Sequence, residues 1–387
     1  MSLPGAHDTR QPTFGSVEVT ASIFGTRHGN APAPVSILDF AMAGKGVTAR
    51  EALSASIDLA RLADRRGFTR YWIAEHHAMP SVTTPSPALL LARLVGETRS
   101  IRLGSGGMML PNFPPLVVAE QFGLLASLAP GRIDLGLGRA PGTDMTTAAA
   151  LRRGQIGAED FPNQVTELIG FLDDDFPGGH PYGDGVYAVP GPRQDRENGV
   201  PRSFERPPVW LLGSSGYSAQ LAAHLGLPFA FAAHLADENV ELALILYRQK
   251  FRPSAVLDRP YAITSFGVLA ADDEREARRQ AWAYSHAMMR MSQRRSFVVP
   301  TPEEAETYPY SPSEREMIEM WNAKIMSGTG AQVVEQLNAW QRRLGADELM
   351  LLNLGHSPAA ILRSTEIIAD AYGMPEHHPD QDEARYG

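Results

Sequence analysis

Eight short apolar segments, each trailed by a stretch with helical periodicity, constrain this 387-residue chain more than any other feature. They are VSILDFA (35–41), RYWIAE (70–75), IRLGSGGMML (101–110), IDLGLG (133–138), PVWLLGSS (208–215), PFAFAAH (228–234), YAITSFGVLA (261–270) and ELMLLNL (348–354). Several are apolar on both alternating faces. A strand needs that only when both faces are covered, as in a parallel sheet. Helical spacing is read over 48–66, 115–129, 217–225, 237–252, 273–292, 331–345 and 358–372. In the first of these, Ala52, Leu53, Ile57, Leu59, Ala60 and Ala63 recur at helical intervals and Gly67 ends the run. The second stops at Pro130-Gly131. Eight strands alternating with helices predict an α/β fold, the (β/α)8 or TIM barrel. A doubly wound open sheet has the same rhythm, because periodicity does not report closure.

The rhythm also marks the boundaries. Residues 1–33 are small and polar, close with Pro32 and Pro34, and read as an N-terminal arm with a possible short strand at 17–24. The barrel is expected over 34–373 and a polar tail over 374–387. Long insertions follow strand four (173–208) and strand seven (294–330). At the C-terminal face of a barrel both would be lids. The formal charge is −9 and no Lys/Arg cluster breaks it, which argues against nucleic acid. No run approaches the roughly 20 apolar residues of a membrane helix. The first residues lack an apolar core segment, so a cytoplasmic enzyme is expected. With no cysteine, disulfides, iron–sulfur ligation and thiol nucleophiles are excluded.

A barrel keeps its chemistry at the C-terminal ends of its strands. Strand two ends in Glu75-His76-His77, a carboxylate beside two imidazoles that titrate near neutrality. The pair should point in different directions, leaving one for catalysis. Strand three carries Gly104, Gly106 and Gly107 ahead of Met108. Glycines there suit a bulge or a flat ligand close to the backbone; tight helix packing is the other explanation. Arg139 directly follows the buried strand four, where a guanidinium needs an anion or a structural ion pair. Strand five leads through Gly213, Ser214, Ser215, Gly216 and Ser218 straight into a helix. Glycines, hydroxyls and free helical N–H groups together make a phosphate cradle; simple capping by a serine is the alternative. Loops after strands two to five are neighbours, and three strand spacings span roughly 14 Å, the reach of an extended mononucleotide.

Glu-His-His after strand two, LGSGGMMLP on strand three, AEQFGLLASLAPGRIDLGLGRAPG through strand four and LGSSGYSAQLAAHLGLPFAFAAH after strand five together resemble the bacterial luciferase-like, flavin-dependent monooxygenase family. The resemblance covers about residues 34–372. It implies reduced FMN and O2 as co-substrates. His76 matches the family's catalytic histidine. Gly106 and Gly107 match a pair joined by a non-prolyl cis peptide beneath the flavin ring, with Met108 beside them. Arg139, Ser215 and Ser218 match phosphate ligands, and Ser214 and Gly216 belong to the same turn. Ser214 stands where luciferase has an acidic residue and Gly138 where it has a reactive cysteine, which argues against light emission. Residues 294–330 match a mobile loop.

The resemblance further implies a homodimer. No nicotinamide domain is evident, so a separate NAD(P)H:flavin reductase would supply reduced flavin. Phe40, Met42, Met108, Phe113, Phe229 and Phe231 near strand ends suggest a small, partly apolar substrate such as an aldehyde. Three alternatives stay open: a deazaflavin (F420)-dependent hydride-transfer enzyme, a non-catalytic flavin-binding protein, and a metallo-hydrolase using His76, His234 and His356. The last lacks the H-x-H that such barrels place on strand one, so no metal is expected.

Overall fold

A computed structural model describes residues 23–151, 158–183, 185–201 and 203–376. Residues 1–22 of the arm, most of the strand considered at 17–24, and 377–387 of the tail lie outside the described residues. The strands are β1 (Val35–Asp39), β2 (Arg70–Ile73), β3 (Arg102–Met109), β4 (Ile133–Gly138), β5 (Val209–Gly213), β6 (Phe229–Ala232), β7 (Ala262–Ala270), β8 (Ile325–Gly328) and β9 (Glu348–Asn353). All pair in parallel. β1 to β6 follow one another, β6 pairs with β7, β7 with β9 and β9 with β1, so eight strands close into a barrel.

The helices are α1 (Ala49–Arg65), α2 (Pro87–Val95), α3 (Pro115–Leu128), α4 (Met145–Leu151), α5 (Phe161–Asp173), α6 (Pro192–Glu197) and α7 (Gly216–Leu225). They continue as α8 (Ala233–Ala236), α9 (Val240–Lys250), α10 (Glu274–Ser292), α11 (Pro302–Thr307), α12 (Pro312–Asn322), α13 (Gly330–Leu344) and α14 (Pro358–Ala371). Of the helices of nine residues or more, α2, α5 and α12 escaped the periodicity. PALLLARLV is apolar almost all round, so α2 has no stripe to read. Thr48 caps α1 and Glu51 reaches back to it, which fixes where the first helix begins.

Two expectations change. β8 is a ninth strand inside the segment expected to be an insertion without strands. β7 is long enough to hold two partners in succession along one edge. Ala262–Ser265 pair with β6, and Gly267–Ala270 pair with β8. The four residues IMSG are too short to show alternation. Second, the stretch 173–208 is no lid. It follows α5, which returns from the end of β4, and it leads into β5. It therefore lies towards the N-terminal end of the barrel, tied down by Arg206–Asp173 (2.6 Å), Arg193–Asp174 (2.8 Å) and the Leu135 N–H to Pro208 O bond (2.9 Å).

The segment 294–330 is at the other end. Lys45 N–H donates to Val299 O (2.8 Å), Ser81 N–H to Phe297 O (3.2 Å) and Val299 N–H to Ser81 Oγ (3.0 Å). Phe297 and Val299 are buried there, so the segment is strapped to the loops that follow β1 and β2.

The N-terminal end of the barrel holds a buried ionic cluster. Arg70 opens β2, Glu348 opens β9 and Asp134 is the second residue of β4; all three are fully buried. Arg70 donates to Glu348 (2.8 and 3.0 Å), to Asp134 (2.9 Å) and to Ile23 O (2.5 Å). Tyr261 OH donates to Glu348 (2.9 Å) and accepts from Gly25 N–H (3.0 Å). The described end of the arm thus closes this end of the barrel.

Candidate functional site

The Glu-His-His corner after β2 separates into three tasks. Glu75 is fully buried. Its carboxylate accepts from Met109 N–H (2.9 Å) and Asn112 Nδ2 (2.9 Å), and lies 2.8 Å from His77 Nε2. It stitches the end of β2 to the end of β3. His77 is thereby held by Glu75, whereas His76 has a different partner. His76 sits edge-on to Phe40, ring centres 4.9 Å apart, with Nδ1 3.3 Å from Gly142 O. Burial lowers the pKa of His76; the Gly142 carbonyl opposes that and the nearby His77 adds to it.

Phe40 faces a second imidazole. His234 follows β6 in the first turn of α8, with its ring centre 6.3 Å from Phe40. Its Nδ1 lies 2.9 Å from Ser265 Oγ on β7. Burial pushes it down to about 4; Ser265 opposes that shift, and a charge on His76 would add to it. β1, β2, β6 and β7 therefore bring one phenyl ring and two neutral imidazoles to a common corner. From the sequence His234 entered only as a metal ligand. Its place at a strand end was the signal; Ser265, in mid-strand, offered none.

On β3 the Gly106–Gly107 peptide is cis, and the β3–β4 register shifts between Ser105 and Met108, which is the expected bulge. The crowding that requires glycine comes from inside the barrel, not from a helix. A Cβ at Gly106 would meet Leu38 Cδ1 at 2.7 Å, and one at Gly107 would meet Gly136 O at 3.0 Å. Gly106 stays half-exposed beside this site while Gly107 is buried. The Met108 side chain is in the core, as are Met42, Phe229 and Phe231, so most of the apolar residues near strand ends line no open surface. Phe113 is only partly buried.

Residues expected to hold an anion meet between β4 and α7. The Arg139 guanidinium lies 4.3 Å from the centre of the Tyr217 ring, in the first turn of α7. No carboxylate pairs with it among the described residues, so the structural ion pair is absent there. Ser215 occupies the N-cap position, yet its side chain makes no capping hydrogen bond. Simple capping therefore does not account for it. Ser215 is exposed, Ser214 and Gly216 are half-buried, and Ser218 is buried. A Cβ at Gly213 would meet Ser218 Oγ at 2.7 Å, so only glycine lets the turn fold this tightly. Helical N–H groups, a serine hydroxyl and a guanidinium without a carboxylate suit a phosphate, so these residues fit the phosphate end of a mononucleotide.

The three histidines of the metal alternative do not converge. His356 Nε2 lies 3.0 Å from Lys45 O, and no group of three or more His, Asp or Glu is placed to hold a metal ion among the described residues.

Comparison with known proteins identifies the family. The model of the luciferase-like monooxygenase family matches residues 34–348. A luciferase-like monooxygenase of Escherichia coli K12 is 44% identical over 336 residues, 87% of this chain and 96% of the relative. The crystal structure of apo-MsnO8 superposes with a TM-score of 0.78 at 34% identity, covering 90% of this chain and 100% of the other. At 20% identity the fold is shared, with a TM-score of 0.64, by the oxygenating constituent of 3,6-diketocamphane monooxygenase from Pseudomonas putida, solved with FMN; 89% of this chain and 99% of that one are covered. A closed parallel barrel of this kind and a family match over most of its length place the chain among the luciferase-like, flavin-dependent monooxygenases.

Proposed function

We propose that this enzyme is the oxygenase half of a two-component system. It takes reduced FMN from a separate NAD(P)H:flavin reductase and uses O2 on a small, partly apolar organic substrate. The observation that carries this reading is the pairing of Arg139 with the uncapped start of α7, set across the glycine-rich end of β3 from the His76 corner. Arg139, Ser214, Ser215, Gly216 and Ser218 would hold the phosphate. Gly106, Gly107 and the backbone of Met108, whose side chain is in the core, would lie against the ring. When bound, reduced FMN supplies the two electrons that activate O2. The chain's own residues do the rest. His76 can take up a proton at Nε2, the ring nitrogen left over by the Gly142 contact. The strapped segment 294–330 keeps water from the mouth.

The exposed Leu89 of α2 and Leu124 and Leu128 of α3 support a homodimer built on these two helices. Among the described residues no helix is long and apolar enough to cross a membrane, which is compatible with a cytoplasmic site of action.

Anaerobic titration with reduced FMN tests the reading, followed by mixing with O2 in a stopped-flow spectrometer. Tight binding, and flavin reoxidation that is slower than in free solution and altered by His76→Ala, is the expected result. If reduced FMN does not bind, or reoxidises as it does in buffer, the monooxygenase reading is lost. Binding of F420 in its place would assign hydride transfer instead.

A further inference from the structure

The hydrogen-bond chemistry of the two-histidine corner states what kind of substrate it accepts. A carbonyl oxygen only accepts, so the contact between His76 Nδ1 and Gly142 O requires the proton on Nδ1. The same holds for His234 by a longer route. Ser265 Oγ donates its single proton to Phe231 O (3.2 Å), which leaves Oγ as the acceptor for His234 Nδ1–H (2.9 Å). A neutral imidazole with its proton on Nδ1 has a bare lone pair on Nε2. Burial holds both rings neutral near pH 7. Neither Nε2 has a hydrogen-bond partner among the described residues. Neither is among the enclosed polar atoms that lack one, so both keep some exposure.

Phe40 stands between the two rings, 4.9 and 6.3 Å away. Glu75, next to His76, is spent on His77, Met109 and Asn112, and Asp39, next to Phe40, accepts from Ala41 N–H, Ser56 and Tyr71. His356 is turned to the Lys45 carbonyl.

We infer that the His76–Phe40–His234 corner binds a substrate bearing an N–H or O–H donor beside an apolar portion, with His234 as a positioning residue held in its tautomer by Ser265. This rests on the proposed function only in taking the corner as the substrate's end of the site. A ligand with acceptors alone, such as an aldehyde, would set its oxygen lone pairs against two imidazole lone pairs and leave all of them unpaired. Unpaired polar atoms that lose water are expensive, so the discrimination is built into the tautomers. The aldehyde considered from the sequence is therefore disfavoured in comparison with a primary amide, amine or alcohol of the same shape.

Two measurements, neither using flavin or oxygen, test this. Long-range proton–nitrogen spectra of protein labelled at the histidine ring nitrogens report the tautomers, with His76→Asn and His234→Asn used to assign the signals. Both rings should carry the proton on Nδ1. A proton on Nε2 of either ring in the wild-type protein overturns the inference. The second measurement compares hexanamide with 2-heptanone, which differ by NH2 against CH3, in calorimetric titrations. The amide should bind about tenfold more tightly. His234→Asn keeps a donor for Ser265 but loses the outer acceptor, and should erase most of that preference. Equal affinity, tighter ketone binding, or binding of neither probe overturns it. The wild-type results decide the matter even where a variant fails to fold. A failed reduced-FMN titration alongside the expected tautomers and amide preference would remove the cofactor reading and leave this one standing.

Discussion

Replacing Glu348 by Gln removes one charge from the sealed end of the barrel and almost nothing else. The carboxylate accepts from Ser36 Oγ (2.5 Å), from Arg70 Nε and Nη2 (2.8 and 3.0 Å) and from Tyr261 OH (2.9 Å). Arg70, Asp134 and Glu348 are fully buried, and Arg102, paired to Asp134, is nearly so. Two positive and two negative charges therefore balance. Glutamine keeps the volume but turns one acceptor into a donor aimed at donors, and leaves a net positive charge without water. Breaking a buried pair from one side costs about 3–5 kcal/mol, and the shape retained by Gln puts this change at the lower end, near 3 kcal/mol. With an unfolding entropy of roughly 2.1 cal/mol/K per residue, 387 residues give about 0.8 kcal/mol/K, so the Tm falls by about 4 °C. Scanning calorimetry measures it. Asp272→Asn serves as the control, because the Arg363–Asp272 pair is 50% and 72% exposed and should shift nothing measurable. A Glu348→Gln protein that melts with the control would refute the reasoning, because the cluster would then be hydrated or already neutral.

Three further outcomes are expected. His76 and His234 have folded pKa values below the unfolded value of about 6.5. Their contribution to stability is therefore fully present above about 6.5 and is lost as pH falls below it, for His234 down to about 4. His234→Asn should flatten the fall in urea midpoint across that window, and an unchanged slope would show that His234 is solvated. Arg139→Ala should weaken reduced FMN binding about tenfold or more, with Arg139→Lys in between, because a guanidinium matches a phosphate with two parallel donors; equal titrations for all three proteins would move the phosphate elsewhere. Leu124→Glu with Leu128→Glu should halve the mass seen by light scattering, as two charges on an apolar helical face oppose pairing. A wild-type monomer, or a variant that remains dimeric, removes α2 and α3 as the interface.

Legibility followed physical range. The strand segments were readable because burial on both faces leaves an apolar run of fixed length, as in β4 and β7. His76, Arg139 and the serines before α7 were readable because barrel topology assigns a place to whatever follows a strand. β8 was not, since four residues carry no period and its partner edge exists only because β7 outruns β6. Nor was the position of 173–208, which depends on α5 turning the chain back before the stretch begins. His234 was noticed only within the disfavoured metal alternative: a histidine at a strand end has no direction until Ser265 and Phe40 are placed around it.

By itself, the amino-acid sequence determined the eightfold alternation, the glycines that let strands and turns crowd, and the residue types available at each strand end. These are local properties, set by side-chain volume, backbone freedom and spacing along one segment. The tertiary structure decided which of those ends share a mouth, which nitrogen of each imidazole keeps its proton, and which charges lose their water. Those depend on atoms tens to hundreds of residues apart, such as Arg70 and Glu348, whose interaction has no meaning until the barrel closes and brings β2 and β9 to opposite sides of β1.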